Sequence, residues 1–294
     1  MPDADPRSDD NVDLPGALRL IPAQGGLDCL QINTGSCQAH QYCLGATITH
    51  WQPAGHAPVL FTSAKANFRD GVAIRGGVPI CFPWFGAHPD DRRAPNHGLV
   101  RTRPWQLVHS SSNANGVQLV WVLQQDGWQV EFHTDFGANL SMRLLVTNAS
   151  ANHRVFEAAL HTYLRVGDVR QIDITGLESA DYLDTVGGGR HWRAAEQQAI
   201  RFTSETDRIY QHSTASCTIT DPSLGRRIRV DKAGSLSTVV WNPWIARARA
   251  LADLDDEEWT DFCCVESACI GEHAVSLAPG QSHALSVRLS VDQL

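Results

Sequence analysis

The chain has 294 residues, of which 43% are hydrophobic and 19% are charged, and its formal net charge is −8 at pH 7. This composition is typical of a globular protein with a sizeable core and excludes extensive disorder. The negative charge argues against sequence-independent nucleic-acid binding, which needs clustered Lys and Arg, and the absence of a run of about eighteen apolar residues argues against a membrane span.

The composition of the chain changes after about residue 15. Residues 1–15 are rich in Asp and Pro, so they are predicted to form a flexible acidic tail, and residues 16–294 are predicted to form a single domain. The opening has neither a basic n-region nor an apolar h-region, so a secretory signal is not expected and the protein is predicted to be cytoplasmic. Its eight cysteines are therefore expected to be reduced.

Beyond the tail, short runs of β-branched and aromatic residues alternate with turn sequences such as QDG, GGG, DPSLG and APG, a pattern that predicts β-strands. The predicted strands cover residues 116–124, 139–148, 154–166, 171–176, 198–203, 215–220, 226–231, 236–241, 261–269 and 284–291. One short helix is predicted in NPWIARARALADLDDEEW, where Pro243 can open the helix after Asn242. Many strands with almost no helix indicate an all-β antiparallel sandwich.

The segment IRGGVPICFPWFG, residues 74–86, looks like packed core except for Arg75, which stands just before two glycines. Glycines lack side-chain bulk and can let the backbone approach a ligand, while a guanidinium can hold phosphate oxygens in a charge-assisted fork. From these residues alone, however, a bidentate ion pair between Arg75 and a carboxylate of the chain is the favoured interpretation.

The run VFEAALHTYLRV, residues 155–166, divides into two faces by the two-residue period of a strand. One face is apolar and is predicted to pack on the core. The other face carries Val155, Glu157, Ala159, His161, Tyr163 and Arg165. His161 is thus predicted to point away from the core, toward a polar concave surface where a sugar could lie. Periodicity alone still favours a surface histidine paired with a nearby carboxylate.

Glu266 interrupts the otherwise apolar run DFCCVESACI, residues 261–270. An ionised carboxylate there is costly unless it is hydrogen-bonded or neutralised, so burial is expected to raise its pKa from about 4.3 toward about 6 or 7. A glutamate shifted in this way can accept a proton near neutral pH, with a histidine as the complementary acid. A glutamate satisfied by backbone amides or by an arginine at a sheet edge is an equal alternative.

A set of short blocks occurs in one order over most of the chain: RGGVPICFPWFG, NHGLVRTRPW, HTYLRVGD, ITGLESADYLD, ETDRIYQ, VVWNPW, CCVESACI and LAPGQSH. This ordered set resembles the glucose-6-phosphate 1-epimerases, also called D-hexose-6-phosphate mutarotases, of the aldose 1-epimerase or galactose mutarotase-like superfamily. The resemblance implies an antiparallel β-supersandwich with few short helices and an active site in a concave face.

In that family a histidine and a glutamate interconvert the α and β anomers of the sugar, and these two roles carry over to His161 and Glu266. The family's substrate contacts carry over to Arg75, His97, Arg101 and Asp207. One departure concerns FPWFG, because some relatives have glutamine where this chain has Trp84. A tryptophan at that position could stack on the apolar face of the sugar ring instead of donating a hydrogen bond.

The implied reaction opens the ring of a hexose 6-phosphate. Glu266 would take the proton of the C1 hydroxyl while protonated His161 gives one to the ring oxygen, and the ring would reclose on the other carbonyl face. Arg75 and Arg101 would hold the phosphate. No cofactor or metal is expected, because no CxxC pair and no HxxxH or comparable spacing occurs, and the protein is expected to act as a monomer.

Three alternatives remain open. An epimerase of unphosphorylated aldoses would lack the phosphate grip, so both Arg75 and Arg101 would be tied up in internal pairs rather than pointing into the cleft. A sugar-phosphate-binding regulatory protein would have kept the fold and lost turnover. A glycoside-processing enzyme would need two carboxylates flanking the scissile bond, an option that Asp207 leaves open.

Overall fold

The computed structural model describes Leu14 and residues 16–294, so the tail predicted for residues 1–15 lies, apart from Leu14, outside the described residues. Strands make up most of the regular structure in this part of the chain. They are β1 (Leu18–Pro22), β2 (Asp28–Asn33), β3 (Cys37–Tyr42), β4 (Ile48–Pro53), β5 (Ile80–Cys81), β6 (Gln106–Asn113), β7 (Gly116–Gln125), β8 (Trp128–Phe136), β9 (Leu140–Asn148), β10 (Arg154–Phe156), β11 (Ala158–Leu160), β12 (Tyr163–Arg165), β13 (Asp173–Thr175), β14 (Tyr182–Asp184), β15 (His191–Arg193), β16 (Thr206–Tyr210), β17 (Cys217–Asp221), β18 (Arg226–Ala233), β19 (Ser237–Asn242), β20 (Phe262–Cys269), β21 (Val275–Leu277) and β22 (Ser282–Gln293).

Two eight-stranded sheets dominate the structure. The first, called the site sheet below, has the order β15-β14-β16-β19-β20-β11-β5, with β12 also paired to β20. The second has the order β13-β17-β18-β22-β9-β8-β7-β6, and smaller sheets are formed by β1–β4 and by β10 with β21. All strand pairs within residues 16–294 are antiparallel, which confirms the predicted all-β antiparallel fold class.

A single large apolar cluster contains residues of both eight-stranded sheets. Leu160 and Val240 come from the site sheet, and Phe132 and Leu144 come from the second sheet. Along β8 buried and more exposed residues alternate, as the two-residue strand period requires when one face lies on a core. The core therefore closes one face of the site sheet, and polar side chains of that sheet are left to its other face.

Most of the predicted strands match strands of the structure, for example 116–124 with β7, 226–231 with β18 and 261–269 with β20. The strand predicted over residues 198–203 is wrong. Within it, Ile200 forms only an isolated bridge with Ile174, and both Ile200 and Phe202 are buried in the core. The apolar spacing of this segment thus reflects a loop packed on the core and not a strand in a ladder.

The single strand predicted over residues 154–166 is divided into β10, β11 and β12, because β10 pairs with β21 whereas β11 and β12 pair with β20. Its apolar face is buried as predicted, including Phe156, Leu160 and Leu164. The opposite face is more enclosed than the sequence indicated, since His161 and Tyr163 are also buried.

The predicted helix is present but short. α1 spans Trp244–Arg249, and the side-chain oxygen of Asn242 accepts a hydrogen bond from the Trp244 N–H at its start. The remainder of the predicted segment forms turns and a 3-10 turn at Glu258–Thr260. In the described part of the chain, helices are too short and too polar to span a bilayer.

Candidate active site

His161 and Glu266 lie opposite each other on neighbouring segments of the site sheet. The pairs on either side of them share one antiparallel register, namely Leu160 with Ser267 and Tyr163 with Cys264. Continuing that register places His161 opposite Glu266, and the distance from His161 Nδ1 to Glu266 Oε1 is 3.4 Å. Sheet pairing therefore joins two polar residues that are far apart in the sequence.

Two side-chain atoms of this pair are buried but unsatisfied. His161 is 6% exposed and Glu266 is 1% exposed. Among the described residues, neither His161 Nδ1 nor Glu266 Oε2 has a hydrogen-bond partner. Because buried polar atoms are nearly always hydrogen-bonded in folded proteins, such atoms mark a place where a ligand can supply the missing partner.

Burial sets the protonation of the pair. Burial, followed by the neighbouring His97, holds the pKa of His161 well below its usual value. Burial, followed by the charge of Asp207, raises the pKa of Glu266 well above its usual value, and the nearby Arg101 opposes this rise only in part. The free protein thus favours a protonated Glu266 beside a neutral His161. The raised pKa of Glu266 agrees in direction with the sequence-based expectation, whereas the lowered pKa of His161 opposes the expected role of a protonated His161.

Two aromatic side chains hold the His161 imidazole. Tyr163 stacks on it, with ring centroids 4.7 Å apart and planes 10° from parallel, and Trp241 meets it edge-on at 5.9 Å. Tyr163 lies two residues from His161 on the same strand face, whereas Trp241 comes from β19. Neither residue has a role predicted from the sequence. The strand period placed Tyr163 beside His161, but no sequence signal identified Trp241.

His97 reaches the site from a loop. Its Nδ1 accepts a hydrogen bond from the Gly86 N–H at 3.3 Å, so the proton of the neutral ring lies on Nε2. Burial and the charge of Arg101 lower the pKa of His97 to about 3, and its ring lies edge-on to His161 with centroids 5.5 Å apart. His97 therefore offers a fixed N–H donor next to the proton pair.

Gly98 makes this loop possible. Its φ is +78°, and a Cβ at this position would overlap the carbonyl oxygen of Phe82. A residue with a side chain would have to push the loop away from Phe82 and would displace the adjacent His97.

The two glycines that follow Arg75 approach the protein's own backbone. A Cβ on Gly77 would overlap the carbonyl oxygen of Ile48 in β4, and one on Gly76 would overlap the backbone of Thr62. The expectation that these glycines admit a ligand is therefore wrong. Because they lack side chains, these glycines allow the segment to pass close to β4 and Thr62. This close approach fixes the backbone position of Arg75.

Arg75 is already bound within the protein. Its Nε donates to Asp253 Oδ1 at 3.1 Å, and its Nη1 donates to the hydroxyl of Tyr163 at 3.0 Å. This is an ion pair through one nitrogen and not the bidentate pair considered from the sequence. The charge of Arg75 nevertheless lowers the pKa of His161, so the guanidinium lies near the proton pair.

Arg101 is less completely bound. Its Nη2 donates to the carbonyl oxygen of Asn96 at 2.7 Å, while its Nε is buried and has no partner among residues 16–294. Its charge lowers the pKa values of His97 and His161, so it also lies close to the site. Arg75 thus keeps two internal partners and Arg101 keeps one, so neither alternative weighed from the sequence is met in full.

Asp207 lies on the same side of the site sheet as the proton pair. It is on β16 opposite Trp241 of β19, and its charge raises the pKa of Glu266. Burial raises the pKa of Asp207 itself.

Trp84 lies further out, in the loop that carries His97. Its indole donates to the carbonyl oxygen of Pro95 at 3.0 Å and its ring meets His88 edge-on at 4.5 Å. Its hydrogen bond and ring contact in the described residues do not join it to His161 or Glu266.

Glu157 connects this loop to the site sheet. Its carboxylate accepts hydrogen bonds from the Phe85 N–H at 2.9 Å and from the Gly271 N–H at 2.8 Å. Gly271 follows β20, the strand of Glu266, and Phe85 packs edge-on against His97 at 4.7 Å. The sequence pattern placed Glu157 on the face of His161 but could not reveal this link.

A cavity on the second sheet is separate from this chemistry. A cavity of about 530 Å³ is lined by side chains that include Gln118, His133, Arg143 and Arg288, and none of the predicted site residues lines it.

A sequence profile for the aldose 1-epimerase family matches residues 28–290. The chain belongs to the aldose 1-epimerase family. This epimerase is 33% identical over 257 residues to an Escherichia coli (strain K12) protein provisionally named glucose-6-phosphate 1-epimerase, with 84% of each chain covered. It is 31% identical over 291 residues to a Cenchrus ciliaris protein with the same provisional name, covering 92% of this chain and 87% of the relative.

Solved structures agree with this assignment. The epimerase matches the crystal structure of the Salmonella typhimurium protein YeaD, provisionally described as a mutarotase, with a TM-score of 0.88, 27% identity and 96% of both chains covered. A galactose 1-epimerase from Lactobacillus acidophilus NCFM shares the fold, with a TM-score of 0.69 at 13% identity over 94% of this chain and 98% of that chain. The protein is therefore an isomerase that interconverts sugar anomers. The family match favours this reaction over the two alternatives of glycoside processing and a purely regulatory role.

Proposed function

We propose that this epimerase interconverts the α and β anomers of hexose 6-phosphates, with glucose 6-phosphate as its substrate. The observation that carries the proposal is the buried pair of His161 and Glu266, 3.4 Å apart, beside two guanidinium groups. The provisional name of the relatives, glucose-6-phosphate 1-epimerase, supports a phosphorylated substrate.

Anomer exchange requires that one proton leave the C1 hydroxyl while another reaches the ring oxygen. With one titratable proton between them, His161 and Glu266 would act as acid and base without exchanging protons with water. We assign Glu266 as the base toward the C1 hydroxyl and His161 as the acid toward the ring oxygen. The ring opens to the aldehyde, C1 rotates about the C1–C2 bond, and reclosure returns both protons.

This assignment requires the shared proton to move from Glu266 to His161 when the sugar binds. A phosphate dianion near the imidazole would raise the pKa of His161, and sugar hydroxyls that donate to the Glu266 carboxylate would lower the pKa of Glu266. Both effects favour the transfer across the 3.4 Å gap. The substrate would thus create the reactive protonation state, which the surroundings of the pair in the free protein disfavour.

The remaining residues of the site are proposed to orient the sugar. The Nε2–H of His97 would donate to a ring hydroxyl, and the Asp207 carboxylate would accept from one. Arg75 and Arg101 would hold the phosphate through charge-assisted hydrogen bonds. Trp84 is proposed to contact the outer part of the sugar, since it lies in the loop of His97.

An epimerase of unphosphorylated aldoses is the second candidate, because Arg75 already forms an ion pair with Asp253 at 3.1 Å. If that pair persists with substrate bound, Arg75 would only stabilise the protein. The proton chemistry would then be the same, and only the recognition of the phosphate would be lost.

Exchange NMR on α-glucose 6-phosphate and on α-glucose separates the two candidates. We expect a higher kcat/KM for the phosphorylated sugar. Arg75→Ala is expected to raise KM for glucose 6-phosphate about tenfold or more, since a charge-assisted hydrogen bond is worth about 1.5–3 kcal/mol, and to leave KM for glucose nearly unchanged. Arg143→Ala, which removes an exposed arginine of the second sheet, is the matched control. Equal effects of Arg75→Ala on both sugars would remove the phosphate role.

A further inference from the structure

Cys264 lies beside the proton pair. Cys264 and Glu266 are two residues apart on β20 and therefore point to the same side of the strand. A ring nitrogen of His161, the Sγ of Cys264 and a carboxylate oxygen of Glu266 all lie within 4.8 Å of one another, and all three residues are buried. The proposed proton transfer uses His161 and Glu266 but gives Cys264 no part, so the presence of a thiol here is unexplained.

We propose that His161, Cys264 and Glu266 form an inhibitory site for a thiophilic divalent cation such as Zn²⁺. Imidazole nitrogen, thiolate sulfur and carboxylate oxygen are the three ligand types that zinc uses in proteins. A set of three protein ligands leaves a fourth position for water, and the two anionic ligands balance the charge of the cation. No metal is predicted from the sequence, because these ligands do not follow one another at a short regular spacing. Sheet pairing instead assembles them from separate segments.

The separation of the ligand atoms fits this cation. Zinc–nitrogen and zinc–oxygen bonds of about 2.0–2.2 Å in a tetrahedral site place these two ligand atoms about 3.4 Å apart. His161 Nδ1 and Glu266 Oε1 are 3.4 Å apart. The Cys264 Sγ lies at most 4.8 Å from a ring nitrogen of His161 and from a carboxylate oxygen of Glu266, and a tetrahedral site needs about 3.6 Å, a difference that a turn of the thiol side chain can reduce.

The unsatisfied atoms of the pair point independently to a ligand. In the part of the chain that the structure describes, His161 Nδ1 and Glu266 Oε2 lack hydrogen-bond partners although both residues are more than nine-tenths buried. Bound metal would supply a partner for the imidazole and the carboxylate together.

A cation held here would block the enzyme. It would occupy the lone pairs through which His161 and Glu266 exchange protons with the sugar, so cation and sugar would exclude each other. Inhibition should therefore be competitive. Mg²⁺ prefers oxygen ligands and keeps several of its waters, so it should not inhibit. The inhibition part of this inference rests on the proposed proton roles, whereas cation binding itself does not.

Binding can be tested with Cd²⁺, whose bond to a thiolate produces a charge-transfer absorption in the ultraviolet. Titration of the protein with Cd²⁺ should produce this band at a stoichiometry of one, and Zn²⁺ should displace it. Cys264→Ala and Cys264→Ser should both lose the band, and two substitutions guard against misfolding of one of them. Cys217→Ala, which removes another buried thiol, on β17, should keep the band. A band that survives in both Cys264 variants would overturn the proposed site.

Inhibition is tested in parallel by the exchange assay. Zn²⁺ should raise the apparent KM of the protein, and Cys264→Ala should weaken this inhibition about tenfold or more because one of three ligands is lost. In the presence of EDTA, the Cys264→Ala variant should exchange anomers at the same rate as the unsubstituted protein. A second group of possible ligands, His212, Glu272 and His273, lies at the surface, so His212→Ala serves as a control that should leave inhibition unchanged. Equal inhibition of Cys264→Ala and the unsubstituted protein, or its loss in His212→Ala, would overturn the inhibitory role. A protein without epimerase activity would still show the Cd²⁺ band, so the two proposals fail separately.

Discussion

His161 and Glu266 lie 3.4 Å apart in surroundings that penalise charge on either side chain. Burial acts on both pKa values in the direction that keeps the pair neutral. Charge can develop on the pair only when a ligand compensates for it, and under the proposed function the sugar phosphate does so. Reactivity at this scale therefore depends on substrate binding and not on a preformed ion pair.

Conservative replacement of either residue should remove turnover and keep the fold. Glu266→Gln preserves size and His161→Asn keeps a polar side chain, but neither can exchange protons as part of an acid and base pair, so we expect kcat to fall about 10²–10⁴-fold with a smaller change in KM. Exchange NMR measures the rates and circular dichroism checks the fold. The partly exposed pair of Glu131 and His133, 3.0 Å apart on β8, provides a control, and Glu131→Gln should not change the rate. Near-normal rates in either site variant would contradict the assignment.

The raised pKa of Glu266 also predicts how stability depends on pH. The carboxyl of the unfolded chain titrates near 4.5, whereas the folded protein keeps its proton to higher pH. Above that value the folded state binds more protons than the unfolded state, so its free energy of unfolding falls by about 1.4 kcal/mol per pH unit until the raised pKa is reached. Glu266→Gln removes this loss.

We therefore expect Glu266→Gln to raise Tm more at pH 7 than at pH 5. His161 is present in both proteins, so its own titration largely cancels in the comparison. Thermal melts followed by circular dichroism at the two pH values measure the difference. The same Tm gain at both pH values would show that the folded and unfolded carboxyl groups titrate alike.

At the scale of elements, the loop of His97 is joined to the site sheet by the two hydrogen bonds that Glu157 accepts from Phe85 and Gly271. These bonds hold the end of β20 and the start of the loop at a fixed separation. Because the loop is proposed to bind the sugar while β20 carries Glu266, Glu157 is expected to act as a positioning residue.

Removal of this link should weaken substrate binding more than it slows the chemistry. Glu157→Ala is expected to raise KM about tenfold, since two backbone donors lose a charged acceptor, and to leave kcat within a few-fold. Glu157→Gln keeps one acceptor oxygen and should restore part of the effect. Glu178→Gln, at a carboxylate that accepts a hydrogen bond from the Gly176 N–H, is the matched control. A proportional fall in kcat, or a lower Tm without any change in KM, would contradict the positioning role.

The strand period explains which parts of the site were predictable. β20 has a regular buried pattern, so a charged residue within it was visible from the sequence, and the same was true of His161. The pairing of β20 with β11 and β12, the ion pair of Arg75 with Asp253 and the contact of Trp241 all depend on long-range packing. A local pattern carries no information about such contacts, and the glycines after Arg75 were misinterpreted for the same reason.

At the scale of the whole molecule, both eight-stranded sheets contribute to one apolar cluster. We propose that residues 16–294 form one domain on this basis, since neither sheet can bury its apolar face without the other. The site sheet would then depend on the second sheet for its stability although their polar surfaces are separate.

A cavity in the second sheet should accordingly weaken the whole protein. Phe132→Ala, at a fully buried position of β8, is expected to lower the free energy of unfolding by about 3–5 kcal/mol. Denaturant unfolding should show one transition in which backbone signal and epimerase activity are lost together. Two separate transitions, or activity that outlasts the backbone signal, would indicate independent domains.

The contact between Glu266 and His161 depends on the two-residue period of β20. Glu266 meets His161 only because an odd or even position along β20 selects which side of the sheet a side chain occupies. The connection from β19 to β20 can gain or lose residues without consequence for that choice. A single insertion in β20 ahead of Glu266, by contrast, would leave composition and hydrophobicity almost unchanged. It would turn the Glu266 carboxyl toward the apolar core.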